Sequence, residues 1–116
     1  MTVRQAAELL EARLVSAEGQ WEREITSACG SDMMSDVMAF FHGQGIMLTG
    51  LINPQVVRTA NLMDIASICV VRGKKTTPEM RALADEFAIP IMETDFSMFV
   101  ACGKLYEAGL SGTPAR

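Results

Sequence analysis

Three short segments of this chain gather the residue types that hold an anion. Arg72-Gly73-Lys74-Lys75 sets three cations around one glycine, Thr49-Gly50-Leu51-Ile52-Asn53 combines a hydroxyl and an amide with another, and Ser27 to Asp32 contributes Ser27, Gly30 and Ser31. Each segment follows an apolar run and leads into a helix-start signal, so free N–H groups and the positive end of a helix dipole would lie beside it. Glycine allows close backbone approach, and Arg and Lys add formal charge. The expected chemistry is binding of a phosphate or carboxylate. The competing reading is a solvated basic loop whose glycines only turn the chain. Thr94, Asp95 and Ser97 occupy the corresponding place after the last strand, where they would meet a sugar hydroxyl or simply cap the final helix. The expected ligand-binding set is therefore Ser27, Gly30, Ser31, Thr49, Gly50, Asn53, Arg72, Gly73, Lys74 and Thr94.

Other reactive types argue more weakly. His42, the only histidine, closes an apolar helix with no neighbour in sequence to orient it as a base. Cys29 stands at a strand end before a helix start, where a thiolate would be stabilised and its pKa lowered. Cys69 and Cys102 read as small core residues, and the spacing of the three cysteines fits neither a disulfide framework nor a zinc or iron–sulfur site. Asp32 and Asp36 are four apart and would share a helix face, which makes a thiol- or carboxylate-dependent enzyme a third reading of the chain. No catalytic residue, metal or cofactor is expected.

The elements that must position these residues follow from an α/β rhythm. The apolar runs Ile25 to Cys29, Ile46 to Leu51, Ile68 to Val71 and Ile89 to Met92 are followed by helix starts at Ser31-Asp32, Asn53-Pro54, Thr77-Pro78 and Asp95 to Ser97. Ligands of such sheets bind where strand ends meet helix N-termini. Thr2 and Gln5 form a capping-box pattern for a helix over Val3 to Glu11, Arg13 to Ala17 reads as an edge strand, and no helix separates it from the second strand. Those two opening strands are expected to be antiparallel or paired across a mixed sheet. Asp32 is expected to start a helix with Met33, Met34, Val37, Met38, Phe40 and Phe41 in a buried stripe, closed by His42-Gly43. Met80, Leu83, Ala84 and Phe87 form the inner face of the third such helix, and the last one spans Ser97 to Ala108 with Gly109 ending it. The expected architecture is a three-layer α/β/α domain over 1–110 with a mostly parallel, mixed sheet of about five strands, and a flexible tail over 111–116.

The length of 116 residues suits one domain. Apolar residues make up 49% and aromatics only 6%, so the core must rest on aliphatics and the nine methionines, which also suit a protein-binding face. A net charge of -4 argues against nucleic acid as a partner. No apolar stretch is long enough for a membrane span and the N-terminus reads as a polar helix, so a soluble cytoplasmic protein with no membrane partner is expected.

Met47 to Ala60 (MLTGLINPQVVRTA), Asp64 to Gly73 (DIASICVVRG), Ile89 to Asp95 (IPIMETD) and Phe99 to Gly109 (FVACGKLYEAG) together resemble the DRTGG domain family, whose members look like the N-terminal domain of HPr kinase/phosphorylase. The resemblance spans Val3 to Gly109. Arg23, Thr26 and Gly30 stand as counterparts of the family's Arg, Thr and a Gly, while Glu22 replaces the Asp and Ser27-Ala28-Cys29 departs from the glycine pair. Such domains occur alone, beside CBS domains and within long phosphotransacetylases. The resemblance implies a non-catalytic regulatory module; no G-x-x-x-x-G-K-[ST] run is present to transfer a phosphoryl group. The expected function is binding of a small anionic metabolite or nucleotide at the strand C-terminal edge, relayed to a protein partner, in a homodimer formed through the Met-rich helix. A homo-oligomeric adaptor without a ligand is the alternative from another class.

Overall fold

Direction of travel through the sheet decides the layering. In this computed structural model, residues 1–41 and 44–112 are described, and His42, Gly43, the side chain of Phe40 and residues 113–116 lie outside the described part. The helices are α1 (Val3–Leu9), α2 (Met34–Phe40), α3 (Pro54–Leu62), α4 (Pro78–Glu86) and α5 (Met98–Glu107); the strands are β1 (Arg13–Leu14), β2 (Ser27–Gly30), β3 (Gly45–Thr49), β4 (Ser67–Val70) and β5 (Ile91–Glu93). They form a five-stranded sheet in the order β1-β5-β4-β3-β2. β2 to β5 are parallel and β1 is antiparallel to β5, with Arg13 opposite Glu93. Because the chain steps one way from β2 to β5, right-handed crossovers put α2, α3 and α4 on one face. The other face is left to α1 and α5.

The buried side chains sort accordingly. Val3, Ala6, Leu10, Ala101 and Leu105 meet Ile46, Leu48, Cys69 and Met92 on one side, while Val37, Val56, Ala60, Met80 and Ala84 meet Met47, Ile68, Val70 and Ile91 on the other. β3 and β4 are covered on both faces and are buried throughout, which is why they read as unbroken apolar runs. The mixed, mostly parallel α/β/α architecture matches the expectation.

Several local expectations change. The two opening strands do not pair with each other: β1 and β2 occupy opposite edges of the sheet. The opening helix stops at Leu9, short of Glu11, which adopts a left-handed φ of 50°. α2 begins at Met34 without a side-chain cap, and its stripe is narrow; Val37 and Phe41 are buried, but Met33 is 59% exposed and Met38 is exposed too. The reason is position. α2 lies over the edge strand, so much of its circumference overhangs the sheet. Ser111, expected in the flexible tail, accepts a bond from the Ala28 N–H at 3.0 Å and donates its own N–H to the Thr26 carbonyl at 3.3 Å, making a parallel bridge on the outer side of β2.

Local capping holds at four of the helix starts and fails at Ser31-Asp32. Thr2 and Gln5 form the reciprocal capping box, Asn53 accepts from the Gln55 N–H, Thr77 from the Met80 N–H and Ser97 from the Val100 N–H, with Pro54 and Pro78 in the first helical turns.

Gly45 is the more tightly enclosed of the two strand glycines, Gly30 and Gly45. A methyl group there would sit 2.4 Å from the Phe41 ring and 2.6 Å from the Ser27 carbonyl oxygen, and the carbonyl cannot swing aside without breaking the β2–β3 ladder. Gly45→Ala is expected to destabilise the domain by roughly 2–3 kcal/mol. Gly103→Ala, in a helix with open space around it, is expected to stabilise by about 0.5–1 kcal/mol. Urea denaturation of both variants checks the contrast.

Candidate functional site

The C-terminal edge of the sheet is organised by one carboxylate that the sequence placed in a helix. Where β3 ends, the buried Thr49 donates its hydroxyl to Asp32 Oδ1 at 3.2 Å, and the next N–H, that of Gly50, donates to the same oxygen at 2.7 Å. Where β4 ends, Arg72 takes a left-handed φ of 67° and Gly73 one of 71°, donating their N–H groups to the carbonyls of Phe96 and Thr94. This turn lays the Arg72 side chain across Gly50, where a Cβ would come within 1.8 Å of Nη2. Arg72 Nη2 then donates to Asp32 Oδ2 at 3.1 Å. Lys74 Nζ donates to the Gly50 carbonyl at 2.7 Å. Gly50 is thus held from both ends, and its missing side chain is what lets the guanidinium pass. The Gly50 N–H first of all, helped by Arg72 and Thr49 against a partial burial, keeps the Asp32 carboxyl below the usual carboxylate range.

A second carboxylate secures the same loop from beneath. Glu93, at the end of β5, is buried; its Oε2 accepts from the Thr76 N–H at 2.8 Å and the Thr76 hydroxyl at 2.7 Å, and its Oε1 from Arg13 Nη2 at 2.8 Å. Arg81 donates to the Thr76 carbonyl at 2.6 Å, closing the network. Burial alone would raise the Glu93 carboxyl, but the bonds from Thr76 and Arg13 outweigh it and the group sits below the ordinary glutamate value.

Of the residues expected to bind a ligand, Thr49, Gly50, Asn53, Arg72, Gly73 and Lys74 stand together at this edge. Asn53 is occupied in capping α3. Ser31 continues β2 by donating its N–H to the Leu48 carbonyl, and its hydroxyl accepts from the Met33 N–H at 2.9 Å. Gly30 serves packing, since a Cβ there would lie 2.8 Å from Cys102 Sγ. Ser27 lies at the opposite end of the sheet, where it starts β2 beside Gly45 and its hydroxyl donates to the Gln44 carbonyl at 3.3 Å. Thr94 is buried, with its hydroxyl donated to the Leu10 carbonyl at 2.7 Å. Asp32 and Glu93 were not among the expected site residues. A charge closing the apolar run Ile89 to Met92 is the available signal for Glu93; for Asp32 the sequence offers its place at the end of the segment Ser27 to Asp32 and its spacing to Asp36, neither of which points to Gly50 or Arg72.

The opposite edge holds Arg23, which donates to the carbonyls of Ala66 and Ala88 and to Gln20, tying together the loops before β4 and β5. Beside it opens a cleft of about 370 Å³ lined by Arg23, Gln44, Asn61 and Asp64, among others.

No protein-family model and no curated protein matches this sequence. Among solved structures, the chain superposes on the CBS and DRTGG domains of the regulatory region of Clostridium perfringens pyrophosphatase, complexed with its activator diadenosine tetraphosphate. The TM-score is 0.73, over 94% of this chain and 47% of that one, at 14% identity. The fold is DRTGG-like. At that identity the likeness is one of fold, and the chain spans about half the length of the structure it matches.

Within the DRTGG-like domain, the reactive-group expectations change. Burial, reinforced by Cys102, pushes the Cys29 thiol up to about 11, the reverse of the activation expected from a helix N-terminus. Cys69 is pushed up to about 12 by burial and Cys102 is raised for the same reason. Asp32 lies outside α2, so it shares no helix face with Asp36. Among the described residues, no cluster of His, Cys, Asp or Glu is placed to hold a metal, and no helix is long and apolar enough to cross a membrane. The reading of His42 lies outside the described residues.

Because the Glu93 carboxyl titrates lower in the folded state than in the unfolded chain, the stability it contributes is complete above the ordinary glutamate pKa of about 4.3 and is lost as pH falls through its folded value. Glu93→Gln is expected to lower stability by about 2 kcal/mol at neutral pH. The difference between variant and wild type should shrink on acidification. Urea unfolding of both proteins at pH 7 and pH 3 measures it.

Proposed function

We propose that this domain is a non-catalytic regulatory module of the cytoplasm, which binds a small anionic metabolite, a nucleotide among the candidates, at the C-terminal edge of its sheet and acts through a protein partner. The observation that carries this reading is the convergence of the Gly50 N–H, the Thr49 hydroxyl and the Arg72 guanidinium on a single carboxylate. Arg72 to Lys75 is exposed, so charge is available to an arriving anion. The regulatory character of the pyrophosphatase region with the same fold, and its nucleotide activator, support the functional class. The three cysteines, all free thiols, suit a reducing compartment.

A thermal-unfolding panel of nucleotides, sugar phosphates and small carboxylates tests it. A ligand at a hundredfold excess over its dissociation constant is expected to add about 2.7 kcal/mol of stability. Arg72→Ala combined with Lys74→Ala should abolish that gain, and the ligand should be recovered chemically unchanged. A ligand indifferent to both substitutions would place the site elsewhere, and turnover would contradict the non-catalytic reading.

A second reading, self-association, is favoured by the β2 edge. Phe99 and Tyr106 on α5 are 88% and 77% exposed, they lie with Gly103 at i, i+4 and i+7 spacing, and α2 offers Met33 and Met38 on the other side of the same strand. We propose a homodimer through this edge. Analytical ultracentrifugation should show a dimer, and Phe99→Glu should shift it to monomer with the folded spectrum intact. A wild-type monomer across the concentration range rules the interface out.

A further inference from the structure

We infer that Asp32 is a built-in occupant of the anion site, holding in the resting domain the donors that a ligand's carboxylate or phosphate would take, so that binding expels the loop 31–33 and loosens α2. The inference rests on the functional reading above and adds how occupancy is transmitted.

The donors come from the ends of two strands and the competitor from a third. Gly50 and Thr49 address Asp32 Oδ1 and Arg72 addresses Oδ2, at 2.7, 3.2 and 3.1 Å. A backbone N–H, a hydroxyl and a guanidinium surrounding two oxygens form a receptor for any compact oxyanion. The two ends of the set differ in firmness. Gly50 is pinned by Lys74 on its carbonyl, and the Arg72 and Gly73 backbone is tied to Phe96 and Thr94. The side chains of Asp32 and Arg72, by contrast, are 41% and 44% exposed. A pair that open to water is weakly held, and a phosphate carrying more charge can overcome it.

What would move is also a lightly anchored element of the fold. α2 has seven residues, no side-chain cap at Met33, and only Val37 fully buried among the side chains described on it, with Phe41 buried at its C-cap. Asp32 immediately precedes that N-cap. Its release would therefore shift Met33 and Met38 beside the β2 edge, converting an electrostatic exchange at the strand ends into a change of apolar surface.

The test uses inorganic phosphate as the probe, followed by backbone amide NMR of the whole chain in wild type, Asp32→Ala and Asp32→Asn. Asp32→Ala should bind phosphate about tenfold more tightly than wild type, with the Gly50 amide among the largest shifts, and Asp32→Asn should fall between them. Saturating wild type should reproduce, over residues 33–38, the shifts that Asp32→Ala shows without phosphate. Equal affinity in the three proteins, a stationary Gly50 amide, or wild-type binding with residues 33–38 unmoved would each overturn the inference. Should Asp32→Ala fail to fold, Asp32→Asn against wild type decides by the same criteria. Acetate in a parallel titration separates carboxylate from phosphate preference. A nucleotide from the thermal panel that needs Arg72 but binds Asp32→Ala no better than wild type overturns this inference and leaves the sensor reading standing. An empty panel together with phosphate at Gly50 of Asp32→Ala overturns the sensor reading and leaves the competition by Asp32 established.

Discussion

The handedness of the crossover connection governs this molecule. A parallel strand reached through a helix must be reached right-handedly, so a chain that advances in one direction from β2 to β5 commits α2, α3 and α4 to a single face and brings their N-termini to one edge of the sheet. α1 and α5 then have only the second face to cover, and the short antiparallel β1 completes the sheet beyond β5. Everything polar at the C-terminal edge is a consequence: loops from β2, β3, β4 and β5 are forced into mutual contact, and their backbone groups must find partners there.

The two carboxylates at that edge solve this requirement in different settings. Glu93 is buried and saturated, accepting from Thr76 and Arg13, and it fixes the loop after β4 to the body of the sheet. Asp32 is half in water and ties the loop after β2 to the ends of β3 and β4. The first kind of contact is structural because removing it leaves unpaired groups inside the protein. The second opens to water on its Arg72 side, so a solute can reach the buried Thr49 and Gly50 donors and take the place of the carboxylate, which is the property a binding site needs.

The parts of this arrangement that could be read from the sequence are the local ones. Asn53-Pro54 and Thr77-Pro78 announced their helices because a cap and its N–H partner lie within three residues. The buried runs of β3 and β4 were equally plain, since a strand covered on both faces has no polar alternation to blur it. Contacts across long separations left no such trace. Asp32 looks like a helix starter beside Met33, and its attraction to Gly50 and Arg72 depends on strand ends far along the chain. The apolar spacing of α2 was legible but could not reveal that the helix overhangs an edge strand, which leaves Met33 and Met38 bare. Cys29 was judged from a neighbouring helix dipole, whereas its desolvation depends on side chains brought from elsewhere. Ser27 lies at the far end of the sheet from the other expected ligand residues because the strand boundary is a matter of register with β3.

Arg72 occupies a left-handed backbone position that disfavours any residue carrying a Cβ, by about 1–2 kcal/mol relative to glycine. Selection for thermal robustness alone would therefore favour its replacement by glycine and would discard the guanidinium in doing so. Directed evolution for heat tolerance, or a design procedure that ranks residues by folding energy, would remove this guanidinium and leave Lys74 and Lys75 as the cations of the loop. Heat tolerance and the ion pair with Asp32 thus pull on residue 72 in opposite directions.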